Sequence, residues 1–116
     1  MENCNHEAEH ERAVEIAKKT IPADEDISKL CGAFKALSEP SRMKILLALT
    51  QGELCVYHIV AAVGGTQSAV SHQLRILRDN RIIRARRDGQ NIVYSLADEH
   101  VVRLIRTSLE HINCEV

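Results

Sequence analysis

The 116-residue sequence has no Cys-x-x-Cys pair, no apolar run long enough for a bilayer, no glycine-rich phosphate loop and almost no net charge, at −1. Each absence removes a class of protein. The four cysteines, Cys4, Cys31, Cys55 and Cys114, are scattered beside six histidines, which fits a reduced compartment better than a disulfide framework and leaves metal or redox chemistry open. Without a long apolar run there is no candidate transmembrane helix. The N-terminus, MENCNHEAEH, is acidic and polar where a secretory signal would be basic and then apolar. A cytoplasmic location is the expectation. No cysteine sits in a recognisable Cys/His/Asn arrangement, so no enzyme class is indicated. There is also no internal repeat and no low-complexity segment.

The composition is that of an ordinary globular chain, with 45% hydrophobic residues and length enough for one modest core. The near-zero charge hides a division along the chain. Residues 1–26 are rich in Glu and Asp, whereas Arg75, Arg78, Arg81, Arg84, Arg86 and Arg87 crowd one short stretch. Local positive charge on a neutral protein suggests a polyanion-binding face. The domain reading is an N-terminal arm with one helix over 1–25, followed by a DNA-binding domain over 26–116 that ends in a dimerisation helix.

Periodicity predicts a charged amphipathic helix from Ala8 to Thr20, closed by Ile21-Pro22 because the residue before proline is pushed out of the helical region. Asp24 or Asp26 is the expected cap of a second helix carrying Ile27, Leu30, Phe34 and Leu37, with Cys31 buried on its apolar side as a small hydrophobe. Pro40 suits the first turn of a third helix with Ile45, Leu46 and Leu49 inward, and Gly52 stops it. Two short helices follow, about Leu54 to Val63 and Gln67 to Asn80, separated by Gly64-Gly65, with Thr66 as N-cap of the second. That is a helix-turn-helix layout. Ile82 to Arg87 and Asn91 to Leu96 have strand composition, and Asp88-Gly89 between them signals a hairpin, here a wing. Asp98 caps a last helix, Glu99 to Asn113, with Val102, Ile105 and Leu109 as its apolar line. The fold class expected is mainly α with a β-hairpin wing: a winged helix-turn-helix homodimer.

The stretch TQSAVSHQLRIL explains the polyanion. On a helix, Val70, Leu74 and Leu77 share one side, while Ser68, Ser71, His72, Arg75 and Arg78 cover the opposite one. A merely solvated face usually carries Glu and Lys; this one carries Ser, His, Gln and Arg, which bond to base edges and phosphates in a major groove. The DNA-contacting set read from the sequence is Gln67, Ser68, Ser71, His72, Gln73 and Arg75 on this helix. Arg84, Arg86, Arg87 and Gln90 on the wing complete it, reaching phosphates or an adjacent minor groove. Strand alternation puts Arg84 and Arg86 on one face and Arg87 on the other, so the three cannot touch DNA equally.

Taken together, FKALSEPSRMKILLAL, GELCVYHI, SAVSHQLRILRDNRII and RRDGQNIVYSL resemble the ArsR/SmtB family of prokaryotic metal-sensing repressors, over about Ile27 to Cys114. The resemblance implies a dimeric winged helix that represses an operon when metal-free and leaves operator DNA when metal binds.

The metal reading begins from reach. His100 and His111 are eleven residues apart in the last helix, about three turns, so they share a face but stand roughly 16 Å apart along the axis. One ion cannot join them within one helix. Zinc bonds to nitrogen at about 2.0 to 2.1 Å, so closing the site needs an antiparallel copy of the helix, bringing His111 and Cys114 beside Asp98 and His100 of the first. This is similar to the family's C-terminal-helix zinc site, Asp-x-His followed at fixed distance by His-x-x-His or His-x-x-Glu. Cys114 departs from that pattern. A thiolate still suits tetrahedral zinc and adds affinity for softer ions, so Zn2+ is the first expectation, with Cd2+, Co2+ or Ni2+ as alternatives. The plain alternative is that Asp98 only caps the helix and the histidines decorate its surface. By family analogy, His111 is also the candidate relay from metal toward the recognition helix, through its second ring nitrogen.

A second candidate constellation combines Cys55 and His58, taken as three apart on one helix face, with Cys4, His6 and His10 of the acidic arm. In the family a related site joins the Cys of an ELCV segment to the partner subunit's arm; Tyr57 stands here where cadmium and lead sensors carry another cysteine. The functional expectation is a metal-responsive repressor of double-stranded operator DNA. The alternative is a thiol-based redox or persulfide-sensing repressor of the same fold, which would need no Asp-x-His. A metal-independent DNA-binding module is a third reading.

Overall fold

Glu39 and Pro40 show how locally a helix start is written in this chain. Pro40 occupies a first-turn position, where its missing N–H costs nothing. The Glu39 carboxylate caps the turn by accepting from the Arg42 backbone N–H at 3.1 Å and from the Ser41 hydroxyl. Those two donors hold the Glu39 carboxyl below the usual carboxylate range, the Ser41 hydroxyl contributing most.

The computed structural model describes residues 7–114 and divides into two compact units, one reaching to Cys31 and one from Gly32 onward. In the first, α1 (Glu7–Thr20) carries Glu7 and Glu9 in its first turn and Lys18 and Lys19 in its last, each complementing the helix dipole, and buries no residue. It ends before Pro22, as expected. Helix α2 (Asp24–Leu37) begins differently from the sequence expectation. The Ala23 carbonyl accepts from Asp26 at 2.9 Å and Ile27 at 3.1 Å, so Asp24, Glu25 and Asp26 sit inside the first turn as favourable charges and do not cap it. Cys31 is exposed, not buried. The reason is visible along the same stripe: α2 buries only Ala36 and Leu37 of its last turn, and Leu30 and Phe34 are exposed as well.

In the second unit, α3 (Pro40–Ala48) runs into a single tight turn, Leu49–Gln51, closed at Gly52. Strand β1 (Leu54–Cys55), α4 (Val56–Val63) and α5 (Gln67–Asp79) follow, then β2 (Ile83–Asp88), β3 (Asn91–Leu96) and α6 (Glu99–Asn113). Expected inward positions Ile45, Leu46 and Leu49 are buried together with Ile59, Val70, Leu74, Leu77, Ile83, Leu96 and Ile105, in one cluster. This places α3, α4 and α5 around a shared core and leaves α5 with one side free. Among the described residues, no helix is long and apolar enough to cross a membrane.

The segment read as the start of α4 is partly a strand. Leu54 pairs with Tyr94 and Cys55 with Val93, giving an antiparallel sheet in the order β1-β3-β2. The outer edge of β3 offers unpaired backbone groups, and two extended residues satisfy them before α4 begins. The wing itself pairs Ile83 with Leu96, Arg86 with Val93 and Asp88 with Asn91. Its loop is therefore Gly89-Gln90, one residue later than the Asp88-Gly89 signal. Gly89 has φ 66°, the left-handed conformation that glycine supplies cheaply at the first position of a two-residue hairpin.

Candidate nucleic-acid interface and metal ligands

Helix α5 is fixed at both ends. Thr66 caps its start, its hydroxyl accepting from the Ala69 N–H at 3.1 Å. At its other end Arg81 stands at φ 60°, donating from its N–H to the Arg78 carbonyl at 2.9 Å, while Ile82 donates to Leu77 at 3.0 Å. This paired closure normally takes glycine at the left-handed position. Burial of Ile82 and Ile83 immediately afterwards holds the exit of the helix in the core.

Between those ends the expected division holds. Val70, Leu74 and Leu77 are buried, and Gln67, Ser68, Ser71, His72, Arg75 and Arg78 are exposed. Gln73 is the exception, being half-buried. Its Oε1 accepts from Arg42 Nη1 at 3.1 Å, while Arg42 Nε donates to the Ala36 carbonyl at 2.7 Å, tying the end of α2 to the polar helix. Ser71, Arg75, Arg78 and Asp79 also line a polar cleft with Tyr94 of β3. Tyr94 was missing from the sequence-derived set; the signal available was its alternation with Leu96, which placed both on the side facing the helices.

On the wing, Arg84, Arg87 and Gln90 are exposed. Arg86 is engaged: its Nε and Nη2 donate to the two oxygens of Glu53 at 2.8 and 2.6 Å. The hydrogen bonds from Arg86 hold the Glu53 carboxyl below the usual carboxylate range and raise the Arg86 guanidinium further.

The candidate metal ligands of α6 lie at its two ends. Asp98 caps the helix, Oδ1 accepting from the Val101 N–H at 3.1 Å, and the His100 Nδ1 stands 3.4 Å from the same oxygen. The Val101 N–H, with a smaller contribution from neighbouring His100, keeps the Asp98 carboxyl below its ordinary range. His111 and Cys114 close the other end, with the Cys114 N–H donating to the His111 carbonyl at 3.2 Å. All four side chains are exposed. Among the described residues of a single chain, no three of His, Cys, Asp and Glu meet in a group fit to hold a metal.

The second constellation is less uniform than its spacing suggested. Cys55 is buried and extended, at φ −81° and ψ 168°, and forms the N-cap of α4, whereas His58 is exposed in the first turn of that helix. The two therefore do not share one helix face. His10 is exposed on α1. Cys4 and His6 lie outside the described residues.

Comparison with known proteins agrees with this geometry. The profile of "Bacterial regulatory protein, arsR family" matches residues 39–85, spanning α3 to the start of β2. The transcriptional repressor SmtB homolog of Synechocystis sp. is 39% identical over 112 residues, 97% of this chain and 85% of that protein. The cadmium resistance transcriptional regulatory protein CadC homolog of Staphylococcus aureus is 37% identical over 103 residues, 88% of this chain and 84% of its own length. Among solved structures, the homodimeric winged helix-turn-helix DNA-binding domain of a possible ArsR-family transcriptional regulator from Mycobacterium bovis superposes with a TM-score of 0.70 at 30% identity. That match covers 80% of this chain and 93% of the other. With the wing, the capped polar helix and likenesses that cover most of each chain in agreement, the chain belongs to the ArsR family of bacterial regulatory proteins.

Proposed function

We propose that this protein is a homodimeric repressor that holds operator DNA when metal-free and releases it when divalent metal links its two α6 helices. The observation that carries the reading is a contrast on one chain: α5 offers a finished polar face, while α6 offers an unfinished apolar one with ligand pairs at both ends. Phe34, Leu104, Leu109 and Ile112 are 50%, 39%, 43% and 73% exposed and line one apolar groove with Leu37, Met43 and Leu47. A second copy related by a two-fold axis covers such a groove with the same residues.

On the DNA side, Gln67, Ser68, Ser71, His72 and Arg75 face the major groove and Arg84, Arg87 and Gln90 reach phosphates beside it; Gln73, held by Arg42, sits at the margin. Two recognition helices fit successive major grooves only when spaced about 34 Å apart, so the dimer interface governs affinity. For metal, the donor set of one carboxylate, two imidazoles and one thiolate suits a tetrahedral ion such as zinc or cadmium. The antiparallel arrangement sets Asp98 and His100 of one protomer against a second protomer's copies of His111 and Cys114. Metal supplies a bridge that fixes the two α6 helices, and the linkage is reciprocal: DNA weakens metal binding by the same factor. This reading matches the names of the relatives, a repressor and a cadmium-resistance regulator.

The test is a titration of metal-free protein on a duplex selected from a random pool, with zinc, cadmium, cobalt and nickel, beside His100→Ala and Cys55→Ser. Release retained by Cys55→Ser and lost by His100→Ala supports the α6 site. The reverse pattern moves sensing to Cys55 and His58 with His10, Cys4 and His6. Wild-type protein indifferent to every ion would favour thiol oxidation.

A further inference from the structure

Arg86 looks at first like one more cation for the DNA backbone, yet the Nε–Nη2 edge of its guanidinium is already committed to a carboxylate. Its partner Glu53 lies just before β1, thirty-three positions away in sequence. The strand register explains the meeting. Arg86 stands opposite Val93, and Val93 opposite Cys55, so Arg86 begins on the far strand of a three-stranded row whose near strand directly follows Glu53. The bidentate contact therefore spans the whole sheet. It matters because β1 contributes only two residues, and these two pairings are its whole share of the sheet. Immediately after β1 comes α4, the first helix of the helix-turn-helix.

We infer that Arg86 is a positioning residue: it latches the wing to the entrance of α4 through Glu53, and leaves contact with phosphates to Arg84 and Arg87. Among the described residues these two arginines have no carboxylate partner, so their charges are available to a polyanion. Seating a phosphate on that same Nε–Nη2 edge would mean breaking two charge-assisted hydrogen bonds at 2.8 and 2.6 Å, and the carboxylate already paired there offsets the charge that a phosphate would meet at the remaining donors. The latch instead fixes the tilt of the hairpin before DNA arrives, so less ordering remains to be done on binding. Glu53, which would otherwise repel DNA, becomes part of the DNA-binding architecture.

The inference rests on the DNA-binding reading, and its test separates the two. Affinity for a duplex selected from a random pool is measured against salt for Glu53→Gln, Arg86→Gln, the double variant and the charge swap Glu53→Arg with Arg86→Glu. Amide exchange of β2 and β3 is followed in the DNA-free proteins. A latch gives equal losses of about two- to fivefold in both single variants, the worth of a well-formed surface pair. The double variant is no worse than either single one, the salt slope is unchanged, wing exchange is faster, and the charge swap recovers most of the affinity. A phosphate contact gives a different pattern: Arg86→Gln alone lowers the salt slope by about one, Glu53→Gln tightens binding, and the swap fails. Either of the first two results overturns the latch. Should wild-type protein bind no duplex, the DNA reading falls, while unchanged wing exchange in Glu53→Gln would overturn the latch independently.

Discussion

Helices α5 and α6 both carry an apolar stripe, but only one of them is finished within a single chain. On α5 the stripe of Val70, Leu74 and Leu77 is buried; on α6 only Ile105 is, while Leu104, Leu109 and Ile112 remain exposed. A finished stripe means that the rest of the helix is free to specialise, and α5 spends its other side on Ser, His, Gln and Arg. An unfinished stripe calls for another surface, and α6 flanks it with Asp98 and His100 at one end and His111 and Cys114 at the other. The proposed division of reading and sensing between two helices thus follows whether their packing is complete within one chain.

The most forceful way to break that contrast is to damage both stripes and compare what fails. Leu74→Ala removes a fully buried side chain and should destabilise the fold by about 2 to 5 kcal/mol, seen as an earlier denaturant midpoint. Leu109→Glu should leave the midpoint of the isolated chain nearly unmoved but weaken dimerisation by about 2 kcal/mol or more, since it puts a charge into the groove that a second copy is proposed to cover. Sedimentation at graded concentrations reads the second effect. A Leu109→Glu protein that stays dimeric would assign the groove to something other than a second copy.

These stripes were also the most legible part of the sequence, because a helical period needs only local spacing. Ile45, Leu46, Val70, Leu74, Leu77 and Ile105 were all placed inward from that spacing and are buried. The hairpin was readable for a similar reason: strand composition on either side of a glycine. What escaped was non-local. Strand β1 exists because β3, nearly forty residues later, has an edge to satisfy, and nothing within Leu54-Cys55 announces that. Arg86 meets Glu53 for the same kind of reason. Cys31 is exposed against expectation because α2 buries its stripe only in its last turn, which helical spacing alone does not reveal. The spacing of Asp98, His100, His111 and Cys114 was legible, yet the convergence proposed for them depends on a second chain, which no single sequence displays.

A milder perturbation asks whether α5 reads DNA and α6 does not. Arg75→Gln should weaken DNA binding by about 1 to 3 kcal/mol if the side chain reads a base edge, with specificity relaxed at one position; a phosphate contact would instead lower the salt slope by about one. Either result keeps α5 as the reading helix. The exposed His100→Ala should bind metal-free DNA as the wild type does. Equal damage from both substitutions would erase the division between the two helices.

The smallest effects concern how helices are started, and they distinguish neutral caps from charged ones. Thr66→Ala deletes the acceptor for the Ala69 N–H and should cost about 1 kcal/mol at any pH, since a hydroxyl does not titrate in this range. Glu39 does the same task for α3 with a carboxylate whose pKa is lowered, first by the Ser41 hydroxyl and then by the Arg42 N–H. A depressed folded-state pKa contributes stability that is fully present above the unfolded value and is lost as pH falls through the folded one. Stability should therefore decline on acidification through and below the ordinary glutamate range, and Glu39→Gln, which keeps an acceptor but cannot titrate, should flatten part of that decline. Denaturant midpoints at neutral and acid pH measure both variants. Thr66→Ala should shift the two midpoints together, while Glu39→Gln should bring them closer; if the glutamine variant keeps the wild-type separation, the charge on Glu39 contributes nothing to the start of α3.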